Sequence, residues 1–149
     1  MALSKPFIES CWDNDLEEVR EYLNRVVNVD TFVLFTGLAI AARQNYLELL
    51  ELLLSQPSID VDPGITTGGA VNWTPLMLAC REGHNKVVRR LLQVPGINIG
   101  YKDGYGCTAL HYASQRGATV CSLLLIQRGK TPKLLHFDFS IFSAFRGSN

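Results

Sequence analysis

The sequence predicts an all-α repeat solenoid built from stacked helix–turn–helix units. Residues 74–92 contain two short amphipathic stretches separated by Gly83, and residues 108–125 repeat this arrangement 34 positions later. Each stretch carries an apolar stripe at helical spacing, which two short helices cannot bury between themselves. Copies of the unit stacked side by side can bury these stripes, so the sequence favours a repeat array over a closed bundle.

The first unit, roughly residues 3–30, keeps the register of the array with a weaker pattern. Residues 5–7 align with residues 74–76, and Asn14 takes the position of the turn glycine. The start of the second helix is acidic, with Asp15, Glu17 and Glu18. Acidic groups there favour the positive end of the helix dipole. We interpret this unit as the polar N-terminal cap of the array.

The second unit, roughly residues 31–69, has Asn45 in place of the turn glycine, since asparagine tolerates the left-handed conformation. Residues 31–35 leave two alternatives open, an extended apolar segment or an early start of the helix. The following linker, residues 56–72, is four residues longer than its counterpart at 94–106. Its surplus falls after Val61, and long loops on a rigid scaffold often take part in recognition.

The third and fourth units, roughly residues 70–103 and 104–129, carry the clearest pattern. Thr74 is a side-chain acceptor that can cap a helix, and Pro75 follows at the first helical position, where a missing N–H has no cost. Gly83 supplies the positive φ that ends a helix. Leu91 lies in the middle of the apolar stripe of the next helix, where we expect it to be buried.

These units resemble the ankyrin repeat. Residues 74–79 and 108–113 each match the threonine–proline–leucine–histidine–x–alanine signature with one departure, and Asp103, Gly106 and Thr108 match the family's finger hairpin. The resemblance covers about 125 of the 149 residues. It implies β-hairpin-like finger loops that join the helix pairs. It also implies a structural role for His84 and an inter-repeat hydrogen bond for His111.

The repeat pattern stops after Gly129. Residues 130–149 form a divergent aromatic tail that contains Phe137, Phe139, Phe142 and Phe145. The last repeat leaves an apolar flank, which we expect to comprise Leu110, Val120, Leu124 and Leu125. We predict that the tail folds back over this flank as an improvised cap, the alternatives being a binding tail or the start of an incomplete repeat.

Composition and charge set the class of protein. An apolar fraction of 47% and a charged fraction of 19% are typical of a folded chain. No apolar run is long enough for a membrane span and no signal peptide is evident, so we expect an intracellular protein, cytoplasmic or nuclear. Residues 1–74 carry a net charge of −7 and residues 75–149 a net charge of +7. This asymmetry predicts a weak, salt-sensitive self-association.

No residue pattern indicates catalysis, a cofactor or a metal. The cysteines contain no Cys-x-x-Cys pair, and we interpret all four as free thiols: Cys11, Cys80, Cys107 and Cys121. The basic residues are not interleaved with an aromatic platform, which argues against nucleic-acid binding. We therefore predict that the protein is not an enzyme and uses no cofactor.

The resemblance implies a non-catalytic protein–protein interaction module that binds a partner through the concave surface of its finger loops and inner helices. The family's contact positions are the finger tips and the two residues before the turn glycine. In this chain they fall on Arg43, Gln44, Trp73, Arg81, Glu82, Lys102, Tyr105, Cys107, Gln115 and Arg116. We expect Trp73 and Tyr105 to be anchors, because aromatic residues are enriched in interface hot spots. The alternative for Trp73 is packing on the neighbouring finger.

A second interpretation of the whole chain is a structural or self-associating fragment of a larger repeat assembly. In that case the tail pairs with further chain or with a second copy.

Overall fold

The computed structural model describes residues 6–62 and 72–129, which contain eight α-helices and no β-strand. The helices are α1 (Phe7–Trp12), α2 (Leu16–Arg25), α3 (Thr31–Gln44), α4 (Leu47–Leu54), α5 (Pro75–Glu82), α6 (Asn85–Leu91), α7 (Ala109–Arg116) and α8 (Thr119–Arg128). Consecutive helices pack as four pairs, which we call the first to fourth units. The predicted all-helical repeat solenoid is confirmed.

The four units stack into two layers. Helices α1, α3, α5 and α7 contact one another in sequence and form the inner layer, while α2, α4, α6 and α8 form the outer layer. In the described residues each unit therefore packs mainly against its neighbours, as expected of a solenoid. Residues at the same position in successive units consequently form rows that run across the stack.

One residue in the left-handed conformation turns the chain within each unit. Its φ is 55° at Asn14, 63° at Asn45, 77° at Gly83 and 75° at Gly117. The next residue's N–H then bonds to the carbonyl five positions back, as in the 2.9 Å bond from His84 to Ala79. Asparagine replaces glycine at the two predicted positions, because it adopts this conformation more readily than other side-chain-bearing residues.

Capping side chains fix where the inner helices begin. The Thr74 hydroxyl accepts a hydrogen bond from the Met77 N–H at 3.1 Å, with Pro75 at the first helical position, as predicted. Asp30 accepts from the Phe32 N–H at 2.7 Å, and α3 begins at Thr31. Residues 31–35 are thus an early start of the helix, not an extended segment.

The apolar core runs between the two layers. Leu91 is fully buried on α6, together with Val87 and Val88. At Gly37 the helices approach so closely that an added Cβ would lie 3.1 Å from the Cys11 sulfur. A larger residue at this position would therefore require the neighbouring side chains to shift by a few tenths of an ångström.

Polar bonds also join consecutive units. The Arg90 guanidinium pairs with Glu51 at 2.7 Å, and the Asn98 N–H donates to the Asp62 carboxylate at 2.7 Å. The Arg128 guanidinium donates to the Leu92 carbonyl at 3.1 Å. Each bond spans roughly one repeat in sequence, so side chains and backbone reinforce the apolar stacking.

Two predicted features lie outside the described residues. These are the surplus of the longer finger, within residues 63–71, and the aromatic tail, residues 130–149. Among the described residues, Leu125 is buried, while α8 exposes Val120, Leu123 and Ile126. The apolar flank of the fourth unit therefore differs from the expected set, because Leu125 belongs to the buried core.

Candidate partner-binding surface

The C-terminal ends of the inner helices place four exposed side chains in one row across the stack. Each lies two residues before the left-handed turn residue of its unit. We call these residues the arginine row: Trp12, Arg43, Arg81 and Gln115. One position later comes an adjacent row, composed of Asp13, Gln44, Glu82 and Arg116. These two rows contain six of the ten predicted contact residues.

Trp73 connects the third unit to the fourth. It precedes the Thr74 cap and is half-buried. Its indole N–H donates a hydrogen bond to the Tyr112 hydroxyl at 2.9 Å. The two rings meet edge to face, with centroids 5.9 Å apart and an interplanar angle of 78°. Trp73 therefore packs on an inner helix of the next unit, and only Tyr112 continues the contact to the finger.

Tyr112 links Trp73 to the finger, since its hydroxyl donates a hydrogen bond to Oδ2 of Asp103. Asp103 is only 7% exposed, and its Oδ1 accepts the backbone N–H groups of Tyr105 and Cys107, each at 2.9 Å. One buried carboxylate thus shapes the finger turn and orients Tyr112. Burial, reinforced by the bond to Asp103, raises the pKa of the Tyr112 phenol, so Tyr112 stays a neutral donor at neutral pH.

Trp73 also contacts the arginine row, through Arg81. The Arg81 guanidinium carbon lies 4.6 Å from the centroid of the Trp73 ring. Such a cation–π contact favours one orientation of a long, flexible side chain. Asp103, Tyr112, Trp73 and Arg81 form a continuous path from the finger to the surface, which we call the tryptophan relay.

The predicted contact residues differ in how much surface they offer. Tyr105 is 73% exposed at the finger tip, whereas Cys107 is 9% exposed. Trp73 and Glu82 are half-buried. The remaining six are exposed: Arg43, Gln44, Arg81, Lys102, Gln115 and Arg116. Contact with a partner at these positions stays a prediction, and Cys107 offers the least surface for it.

The two repeat histidines have structural bonds. The His84 ring bonds through Nε2 to the Arg43 carbonyl at 2.9 Å, across the boundary between units. Nδ1 of His111 accepts the Thr108 N–H at 3.0 Å within the same unit, which makes it part of a capping box. His84 therefore bonds across the boundary between units, while the Nδ1 bond of His111 supports the start of its own helix. Burial lowers the pKa of His111.

The four cysteines are free and buried, in agreement with their interpretation as structural thiols. Burial raises the pKa of the Cys11 thiol to about 12 and also raises that of Cys107. A thiol with a raised pKa is a poor nucleophile at neutral pH. Within residues 6–62 and 72–129, no group of three potential ligands is arranged to hold a metal ion.

Trp12 is a surface residue that the sequence-based prediction missed. It is 44% exposed and lies in the arginine row one unit before Arg43. The same offset that aligns residues 5–7 with residues 74–76 also aligns Trp12 with Arg81. The repeat register in the sequence therefore indicated Trp12 as a contact position. The role of Tyr112 had no such signal, because its bond to Trp73 joins two units, whereas Asp103 was indicated by its match to the family's finger hairpin.

Comparison with known proteins gives a family match and several partial relatives. A model of ankyrin repeats (three copies) matches residues 38–134. The chain is 37% identical over 95 residues to the human SMC5-SMC6 complex localization factor protein 1, covering 63% of this chain and 8% of that protein. It is 29% identical over 130 residues to the Putative ankyrin repeat protein YahD of Escherichia coli, covering 83% and 63% respectively.

A third relative is the Probable E3 ubiquitin-protein ligase XBOS33 of rice, 30% identical over 130 residues, with 84% of this chain and 24% of that protein covered. The chain thus spans less than two thirds of the length of each of these three relatives. No helix in the part of the chain that the structure describes is both long and apolar enough to cross a membrane.

Proposed function

The chain belongs to the ankyrin-repeat family, and we propose that it is a non-catalytic module that binds a partner protein through its finger loops and inner helices. Ankyrin repeats are generally protein-interaction modules. The proposed contact surface comprises the arginine row, the adjacent row and the finger residues Trp73, Lys102 and Tyr105. Intracellular placement, cytoplasmic or nuclear, is part of the same proposal.

The exposed finger-tip tyrosine is the observation that carries this proposal. Tyr105 is 73% exposed, although a tyrosine buries a large apolar area when a partner covers it. Its N–H bonds to buried Asp103, so the finger holds the ring out on a fixed turn. An exposed aromatic on a fixed backbone turn, in a surface that also carries exposed arginines, has the composition of an interface hot spot.

The non-catalytic part of the proposal rests on how the reactive groups are used. His84 and His111 make structural bonds, and the four cysteines are buried. General acid–base or nucleophilic catalysis needs such groups within reach of a substrate. In the described residues His84 instead joins two units, His111 caps its own helix, and the cysteines lie in the core.

Site-directed photo-cross-linking tests the location of the surface. A benzophenone amino acid would replace Tyr105 on the finger or Gln115 in the arginine row. The matched control replaces Lys86, which is exposed on the outer helix α6. We expect the same partner protein to be cross-linked from both inner positions and not from the control. Cross-links from Lys86 alone would contradict the proposal.

A second candidate function, self-association, is favoured by the distribution of charge. The first unit exposes acidic residues and the later units expose basic ones. The acidic set is Glu9, Asp13, Glu17 and Glu21, and the basic set is Lys86, Arg89, Arg116 and Arg128. Head-to-tail contact would bring the two sets together. Sedimentation velocity should then show association at low salt that disappears near 0.5 M, where the Debye length is about 4 Å. A salt-independent sedimentation coefficient would exclude this candidate.

A further inference from the structure

We propose that the arginine row binds an extended acidic segment of the partner, with carboxylates three residues apart and an apolar side chain at one end. This inference rests on the proposed partner-binding function and specifies the chemistry of its partner. Four observations carry it: the spacing of the row, its charge, the fixed position of Arg81, and the exposed Trp12.

The spacing follows from the packing of the inner helices. Helices α1, α3, α5 and α7 lie side by side, and packed helices are about 8–10 Å apart. A chain in the extended polyproline II conformation advances about 3.1 Å per residue and presents every third side chain on the same face. Every third residue of an extended segment crossing the inner helices therefore falls opposite one position of the row.

The charge of the row is positive and uncompensated. Arg43 and Arg81 are exposed neighbours in it, and neither forms an ion pair with a carboxylate of the described residues. Other described arginines do pair: Arg20 with Glu17, Arg25 with Glu21 and Arg90 with Glu51. The arginine row itself contains no acidic residue.

The adjacent row is mixed in charge, with Asp13 and Glu82 alongside Arg116. Acidic side chains of a partner would meet like charges there. The carboxylates of the partner therefore bind at Arg43 and Arg81. Repulsion from the acidic residues of the adjacent row disfavours displacement of the partner segment from the arginine row to the adjacent row.

The tryptophan relay prepares Arg81 for a carboxylate. Its guanidinium lies over the Trp73 ring, and the ring is oriented through Tyr112 by the buried Asp103. A guanidinium stacked by its face keeps the N–H donors on its edge, which match the two oxygens of a carboxylate. Because the side chain is already ordered, binding has a smaller entropic cost.

Trp12 supplies the apolar end of the row. It is 44% exposed, and its carbonyl accepts a hydrogen bond from the Tyr46 hydroxyl at 3.4 Å, which ties the end of α1 to the second unit. An exposed tryptophan next to Arg43 suits an aliphatic or aromatic side chain placed three residues before the first carboxylate.

Fluorescence anisotropy with the full chain and labelled synthetic peptides tests this inference. The matched peptide carries a leucine followed by glutamates three and six residues later, in a glycine–serine background. The control peptide has the same composition, with its glutamates adjacent to each other. We expect the matched peptide to bind at least about tenfold more tightly, since each of its two carboxylates can bond to an arginine of the row, whereas two adjacent carboxylates cannot reach both arginines.

Variants then assign the binding to the row. Arg43→Gln and Arg81→Gln should each weaken binding of the matched peptide about tenfold. Arg89→Gln, which removes an exposed arginine of the outer helix α6, should leave it unchanged. Trp73→Phe should weaken binding through Arg81 without altering the Arg43 contact. Equal losses in all variants would indicate unspecific charge attraction and overturn the inference.

Two further outcomes would also overturn it. One is equal affinity for the matched and control peptides. The other is displacement of the peptide by a single-stranded RNA that binds more tightly in an Arg81-dependent manner. The proposed function fails separately, since it requires cross-linking of a partner from the inner positions. If a partner were cross-linked from Tyr105 and Gln115 but the matched and control peptides bound equally well, the proposed function would stand and only the inference of an acidic partner segment would be refuted.

Discussion

The indole N–H of Trp73 and the hydroxyl of Tyr112 form a 2.9 Å hydrogen bond across the boundary between the third and fourth units. The Tyr112 hydroxyl in turn donates a hydrogen bond to the buried Asp103 carboxylate. A residue expected to be a contact anchor thus also helps to hold two repeats together. Changes at Trp73 will therefore affect stability as well as binding, and the two effects must be measured separately.

Tyr112→Phe isolates the stability contribution of this bond. The substitution keeps the ring and removes the hydroxyl, which leaves the Trp73 N–H and the Asp103 Oδ2 without this partner. We expect a loss of about 1–3 kcal/mol in the free energy of unfolding, the usual cost of an unsatisfied buried polar group. Urea denaturation followed by circular dichroism measures it.

The matched control for Tyr112→Phe is Tyr105→Phe, since Tyr105 is 73% exposed at the finger tip. That substitution should change the free energy of unfolding by less than about 0.5 kcal/mol. A double mutant of Tyr112→Phe with Trp73→Phe should lose less than the sum of the single losses. Strict additivity would show that the two side chains are not coupled.

Leu91→Ala tests the core of the array. Leu91 is fully buried between the layers, so its truncation should lower the free energy of unfolding by about 2–5 kcal/mol and reduce the melting temperature. Because stability in a solenoid depends on the contacts between neighbours, the whole transition should shift. The comparison variant is Val27→Ala, since the Val27 side chain is 94% exposed, and similar losses in both would argue against a core role for Leu91.

We predict that His111 makes the free energy of unfolding fall as the pH falls below the ordinary histidine pKa. Burial lowers its pKa in the folded protein, an effect that Lys102 reinforces and Asp103 opposes. The unfolded chain therefore binds a proton more readily than the folded one. The stabilisation is complete above the ordinary histidine pKa of about 6.5 and declines as the pH falls from there toward the lowered folded pKa.

The structural reason is that Nδ1 of His111 accepts the Thr108 N–H, and protonation at Nδ1 removes this acceptor. Free energies of unfolding measured by urea denaturation between about pH 5 and pH 8 should show the decline. His111→Gln keeps a side-chain acceptor in the capping box but does not titrate in this range. If the variant retained the same decline below pH 6.5, the effect would have to come from another group.

Local rules were sufficient to predict much of the fold. Asn14, Asn45 and Gly83 adopt the left-handed conformation because few residue types can, and Thr74 caps its helix. The sequence left the start of α3 ambiguous, since a short apolar segment can be extended or helical. The Asp30 side chain caps the helix there, so α3 begins at Thr31. These features depend on neighbours in sequence, which a repeat pattern reveals.

The surface was harder to predict because it depends on neighbours in space. Cys107 was expected at a contact position, yet the finger turn around Asp103 buries it. The partner of Trp73 lies 39 residues away, a separation that no local pattern specifies. Trp12 could have been found by extending the repeat register to the first unit.

The aromatic tail provides the final prediction. The described part of α8 exposes Val120, Leu123 and Ile126 at a spacing that places them on one helix face. The sequence after residue 130 supplies phenylalanines at 137, 139, 142 and 145. Burying three of them would contribute about 4–9 kcal/mol before the entropic cost of ordering the segment. We therefore predict that deleting residues 134–149 lowers the melting temperature and increases aggregation.

A second substitution shows whether the tail acts through α8. Leu123→Ser should destabilise the full chain, because it removes an apolar contact for the tail, but should have little effect on the truncated chain, where Leu123 faces water. Thermal melts and light scattering of four proteins measure both effects: the full chain and the truncated chain, each with and without Leu123→Ser. A truncated chain that is as stable as the parent and more soluble would refute the cap and favour a tail that serves a partner or a second copy, since an uncovered aromatic segment promotes association.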